Sequence, residues 1–241
     1  MKMFHKILGC STVAAALALS ASTTQAQNLL VNGSFENAAQ FNAGNPIVLA
    51  GVGQGWSSSF GGAAPVQSDM ASVPAASPQN GNYALLAQNA PGNAWNPQGT
   101  YQLIANSSVG ATWSASIYAL TDTGMLGGQF AGAGPVDYQV QFFDSSLANL
   151  AGTTVETGWS AIAANNVWQQ YTIGGVVPAG TSYIAVYVMA MIGAAPQPTG
   201  PVNVFFDNAS LTVTPVPEPT TLALAGLGGV AALSLIRRRN S

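Results

Sequence analysis

The chain has 241 residues, of which only 5% are charged, with five Lys or Arg side chains against eight Asp or Glu. That is about a fifth of the usual charged share of a soluble protein. A chain so poor in cations cannot neutralise a row of phosphates, which excludes nucleic acid as a partner.

The cations are confined to the two ends, with Lys2 and Lys6 at one and Arg237, Arg238 and Arg239 at the other. The single histidine is His5 and the single cysteine is Cys10. Residues 27–216 therefore hold seven carboxylates and no basic side chain, a formal charge of −7.

In chain order, Lys2 to Lys6 form a positive segment, Ile7 to Leu19 an apolar run and Ser20 to Ala26 a small polar stretch. This is the three-part pattern of a secretory signal peptide on residues 1–26, cut after Ala26 and handed to the Sec translocon. Cleavage would remove Cys10, so disulfides cannot hold the mature protein together.

Residues 27–214 are enough for one domain with a substantial core. Tyr83 to Leu86, Thr112 to Tyr118, Asp137 to Phe143, Val167 to Ile173 and Tyr183 to Met189 are rich in β-branched and aromatic residues and partly alternate. Gly, Pro, Asn and Ser clusters separate them, which predicts an all-β sandwich or barrel. Three loops stand out between these runs, Asn89 to Gly99, Thr121 to Val136 and Gly193 to Pro201. Trp113 and Trp168 lie within strand-like runs and are expected in the core. Trp95 differs, because Asn93-Ala94-Trp95-Asn96-Pro97 places an indole in a polar loop with little apolar sequence to cover it. It is the expected ligand platform, with Asn93, Asn96 and Gln98 as hydrogen-bonding neighbours.

The last segment, residues 215–241, holds Pro217-Glu218-Pro219, an uncharged run from Thr220 to Ile236, and the three arginines. The run is at the short end of what spans a bilayer as a helix, and the arginines would stay on the cytoplasmic side. The two prolines fix an extended segment of the kind a protease binds.

The missing residue types prune the catalytic readings. Without His or Cys the mature domain has no Ser-His or Cys-His nucleophile pair and no zinc site of nitrogen or sulfur ligands. Without Lys or Arg it has no Schiff base and no side-chain clamp for a phosphate. A glycoside hydrolase working through two carboxylates is the enzyme class left open.

Two resemblances add to this. Pro217-Glu218-Pro219, the apolar run and the arginine cluster resemble the PEP-CTERM sorting signal, which implies recognition by an exosortase in a bacterium with an outer membrane. The implied course is transient anchoring in the inner membrane through residues 220–236, cleavage, and delivery to the cell surface or an exopolysaccharide matrix. Asn28-Leu29-Leu30-Val31-Asn32-Gly33-Ser34-Phe35-Glu36 looks like the first strand of carbohydrate-binding modules of the galactose-binding-like type. Gly81 to Leu85, Trp168 to Thr172 and Phe206 to Leu211 recur in the matching order. This resemblance implies a two-sheet antiparallel jelly roll whose first and last strands lie together, flanked by a signal helix and a single transmembrane helix. In such modules a structural calcium lies beside those strands, and the matching carboxylates here are Glu36 and Asp207. Calcium takes oxygen ligands and needs none of the absent side chains; without it, the two carboxylates would accept backbone hydrogen bonds.

The expected function is a non-catalytic, exported protein that binds polysaccharide. Its rivals are a structural or adhesive biofilm protein without a sugar site, and the carboxylate-only glycoside hydrolase.

Overall fold

The computed structural model describes residues 27–41, 55–59, 65–71, 77–89, 98–106, 108–121, 136–158, 167–190, 202–214 and 228. The signal segment and the sorting tail, with Ala26, Pro217, Glu218, Pro219 and Arg237 to Arg239, lie outside them. Among the described residues, no helix is long and apolar enough to cross a membrane.

Ten strands run in order: β1 (Ser57–Ser59), β2 (Val66–Ser68), β3 (Ala84–Asn89), β4 (Gln98–Ala105), β5 (Thr112–Thr121), β6 (Val136–Phe143), β7 (Val155–Glu156), β8 (Gln169–Val176), β9 (Tyr183–Ala190) and β10 (Val202–Thr214). They form two five-stranded antiparallel sheets, β1-β4-β9-β6-β7 and β2-β3-β10-β5-β8. Without β1 and β2, the remaining eight strands pair from the ends inward, β3 with β10, β4 with β9, β5 with β8 and β6 with β7, and the chain switches sheets at every connection except β6–β7. That is the connectivity of a jelly roll, as the sequence resemblance implies.

Period-two patterning explains which side chains meet between the sheets. In β6, Val136, Tyr138, Val140 and Phe142 are buried in the core while Gln139 and Gln141 face out, half-buried. In β9, Ile184, Val186, Val188 and Ala190 point inward in the same way. From the facing sheet, Trp113, Ala115, Ile117, Ala119, Val204, Phe206 and Leu211 complete the core. Each large aliphatic or aromatic side chain removed from water here stabilises by about 1.5–3 kcal/mol.

A β-bulge interrupts the β5–β10 ladder between Asp207 and Ser210, where Asn208 takes a positive φ of 52°. The Tyr138 hydroxyl crosses from β6 to donate to the carbonyls of Ser116 and Ser210, both at 3.2 Å. One buried phenol thus ties the two sheets at the point where the ladder is broken.

The segment expected as a first strand differs. Residues 31–34 form a turn and Ala38–Gln40 a short 3₁₀ helix, because Asn32 and Phe35 both adopt positive φ and leave the extended region. The segment still runs beside the last strand, with Leu29 N donating to Leu211 O and Ala209 N to Gly33 O, both at 2.8 Å. Gly33 is required there, since a Cβ would sit 2.2 Å from the Ala209 carbonyl oxygen. Phe35 and Trp56 then close this end of the core, with ring centroids 5.3 Å apart and the Trp56 indole donating to Asn32 O.

The outer faces of the two sheets are unlike. On β3, β10 and β5 a second apolar cluster of Ala84, Phe205 and Leu120 is covered by Met70, with Leu86 and Trp168 packed against it. The outer face of the β1-β4-β9-β6-β7 sheet mixes Tyr101, Tyr187, Gln139 and Glu156 with the apolar Leu103 and Met189.

Candidate functional site

Ladder register places one residue from every strand of this sheet in a single row. Ser57 of β1 faces Tyr101 of β4, Tyr101 faces Tyr187 of β9, Tyr187 faces Gln139 of β6, and Gln139 faces Glu156 of β7. With strands spaced about 4.8 Å apart, the row is about 19 Å long. Directly opposed residues share a face, so these side chains form one strip across the strands, buried at Ser57, half-buried at the two tyrosines and Gln139, and exposed at Glu156.

The Tyr101 and Tyr187 rings stack with centroids 5.4 Å apart and planes inclined by 24°. Both are half-buried. Desolvation, with Tyr101 adding to it, holds the Tyr187 phenol above its ordinary pKa, so it stays protonated at neutral pH. Gly99 lies beside Tyr101 in the neighbouring row, opposite the buried Met189.

The amides at the other end are locked in one direction. Asn149 Nδ2 donates to Gln141 Oε1 at 3.0 Å, and Gln141 Nε2 donates to Gln139 Oε1 at 3.1 Å. Gln139 Nε2 then donates to Asp137 Oδ2 at 2.6 Å and to Glu156 Oε2 at 2.7 Å. Both amide hydrogens of Gln139 are thereby engaged. Thr157 Oγ1 lies 3.3 Å from Asp137 Oδ1. Asp137 is buried and Glu156 exposed. Burial first, then the Glu156 charge, push the Asp137 carboxyl from 3.8 to about 6, against the hydrogen bonds from Gln139 and Thr157.

The residues singled out from sequence fall elsewhere. Asn93, Trp95 and Asn96 lie outside the described residues. Gln98 does not belong to a loop: it opens β4 and is buried, 2% exposed, on the inward side with Thr100 and Gln102. The loop expected over Asn89 to Gly99 is shorter because β3 extends to Asn89 and β4 begins at Gln98. Trp113 is in the core, but Trp168 packs on the outer cluster and donates to Ser77 O at 2.9 Å.

Glu36 and Asp207 both reach the turn over residues 79–83, just before β3. Glu36 Oε1 accepts from Asn82 N at 2.9 Å and Tyr83 N at 2.7 Å. Asp207 Oδ2 accepts from Asn80 N at 2.9 Å, and Oδ1 from Asn208 N at 2.7 Å. Gly81, at φ +75°, allows the approach, since a Cβ there would sit 2.5 Å from the Glu36 carboxyl carbon. Asp207 is pushed up to about 6, by burial first and with Glu36 contributing, against three backbone hydrogen bonds. A buried carboxylate with a second acid bearing on it, and no cationic side chain between residues 27 and 216, suits a hard cation. Among the described residues no third carboxylate, His or Cys joins them, so backbone carbonyls or water would complete any shell.

Comparison with known proteins bears on the tail and on the fold. The model for the PEP-CTERM protein-sorting motif matches residues 215–239, which marks the chain as exported. No curated protein matches the chain. Among solved structures, the enzymatically active domain of tailspike protein 4 of bacteriophage CBA120 is 12% identical with a TM-score of 0.50. The match covers 78% of this chain and 21% of that one, so the chain spans about a fifth of that protein. The Stig cyclase Fisc from Fischerella sp. TAU is 13% identical with a TM-score of 0.50, covering 80% of this chain and 100% of the cyclase. The carbohydrate-binding module TmCBM61, solved with β-1,4-galactotriose, is 15% identical with a TM-score of 0.46, covering 78% and 99%. At such identities the two structures with a TM-score of 0.50 share the fold with this chain and no more.

Proposed function

We propose that this is a non-catalytic, exported protein that binds polysaccharide on the outer face of the β1-β4-β9-β6-β7 sheet. The observation that carries this reading is the cross-strand row Ser57, Tyr101, Tyr187, Gln139, Glu156. Two flat rings beside a polar strip suit a sugar, whose C–H faces stack on aromatic surface while its hydroxyls need acceptors. Stacking the rings on each other fixes their orientation before the ligand arrives, so little conformational freedom is lost on binding. The Asn149 to Glu156 relay does the same for the polar end.

The sorting motif supports export through the Sec translocon, processing by an exosortase and delivery to the cell surface or exopolysaccharide matrix of a bacterium with an outer membrane. Trp95, with Asn93 and Asn96, is kept as a second contact on the same polymer. Substituting Tyr101 and Tyr187 separately by Ala and measuring retention on immobilised polysaccharide tests the row. Each substitution is expected to weaken retention about tenfold or more with the fold unchanged. Full retention in both variants would leave a structural matrix role as the better account.

Calcium at Glu36 and Asp207 belongs to the same proposal. When bound it would supply a positive centre that neutralises the pair and clamps the N-terminal segment, the turn over residues 79–83 and β10. At a concentration about 100 times its Kd it would stabilise by about 2.7 kcal/mol, raising Tm by about 5–10 °C. An identical Tm in calcium and in chelator would remove the ion from the account.

A further inference from the structure

The polar groups flanking the stacked tyrosines are matched to one kind of ligand. Both amide hydrogens of Gln139 are taken by Asp137 and Glu156, so the strip next to Tyr187 offers carboxylate acceptors instead of donors. Glu156 is exposed and can be touched, while Asp137 is buried and acts through its charge. Their bonding oxygens lie 2.6 and 2.7 Å from the same nitrogen, so both charges bear on one spot at the end of the row. No Lys, Arg or His occurs between Lys6 and Arg237 to offset them.

We infer that the row selects uncharged polysaccharide and excludes anionic polymers, with Asp137 and Glu156 as the residues that set this selection. The inference rests on the polysaccharide-binding reading given above and names the ligand class for it. A sugar hydroxyl donates to Glu156, whereas the charged group of a uronate, sulfate or phosphate ester has no hydrogen to donate there and brings a like charge. Discrimination of this kind comes from the unfavourable pairing built against the wrong ligand as much as from contacts with the right one. The arrangement suits a protein that must pick a neutral polymer out of a matrix containing acidic ones.

The test compares retention of the purified exported protein on immobilised β-1,4-galactan and hydroxyethylcellulose. The same two polymers, after oxidation of part of their primary hydroxyls to uronic acids, serve as the anionic counterparts. At 10 mM salt the wild-type protein is expected to be retained at least tenfold less on an oxidised polymer than on its parent. Because the Debye length falls from about 30 Å to about 3 Å, the gap should narrow in 1 M salt. The Asp137→Asn/Glu156→Gln double variant should raise the oxidised-to-parent ratio severalfold, and Glu156→Gln alone should raise it partway. A thermal melt shows that each variant is folded; Glu156→Gln, at an exposed position, keeps the test open if the double variant is not. Equal or tighter wild-type retention on the oxidised polymers would overturn the inference. So would a ratio that neither folded variant moves. If no polymer of either kind is retained, the polysaccharide reading itself fails and the inference falls with it. Loss of both polymers in Tyr187→Ala with an unmoved ratio in Glu156→Gln would uphold the reading and reject the selection.

Discussion

Asp137 and Asp207 are the two buried carboxyls of the domain's described residues, and each faces a second acid, Glu156 and Glu36. Both are pushed up to about 6, chiefly by burial. The folded state therefore holds protons that the unfolded chain releases near pH 4. The resulting contribution to stability is fully present below about pH 4 and is lost as pH rises through about 6. In chelator, Tm is expected to fall between pH 5 and pH 7.5, and Asp207→Asn should flatten part of that slope. Calcium should flatten the Asp207 part as well, because the cation takes over from the proton. A Tm that rises with pH over this window would contradict the assignment.

At the scale of elements, the bulge in β10 and the tie across it matter most. Tyr138→Phe would leave the Ser116 and Ser210 carbonyls short of a donor in the interior, at a cost of about 1–3 kcal/mol. Denaturant unfolding should show a lower midpoint with an unchanged slope; an unchanged midpoint would mean that the tie carries no net stability. This position was half legible in the sequence. Alternation in Asp137-Tyr138-Gln139-Val140-Gln141 separates inward from outward residues, but nothing local says that Tyr138 meets a bulge 72 residues away. The same limit explains the candidate site. Tyr183 and Tyr187 share a face by period two, and Gln139 and Gln141 share another, yet only register brings Tyr101, Tyr187, Gln139 and Glu156 into one row. Register is a tertiary quantity, fixed by the whole core. Motif resemblance singles out Glu36 and Asp207, and both accept backbone hydrogen bonds from the turn over residues 79–83. The first-strand expectation failed because Asn32 and Phe35 take positive φ, which side-chain patterning does not reveal. Gln98 falls in the polar stretch expected as a loop over Asn89 to Gly99, whereas cross-strand pairing with Ala190 carries it into β4.

For the whole molecule, charge and architecture agree. The cations sit at the two ends of the sequence, where the sorting motif also lies. What remains is an acidic jelly roll with one outer face partly closed by an apolar cluster and the other displaying the tyrosine row. The central claim is that the tyrosine row is where polysaccharide binds. Its most direct measurement is the retention of the exported protein on exopolysaccharide from the producing cell, compared between wild type and the Tyr101→Ala/Tyr187→Ala double variant at equal folded concentration. The account predicts at least a tenfold loss in the double variant with Tm preserved. Retention equal to wild type would contradict it.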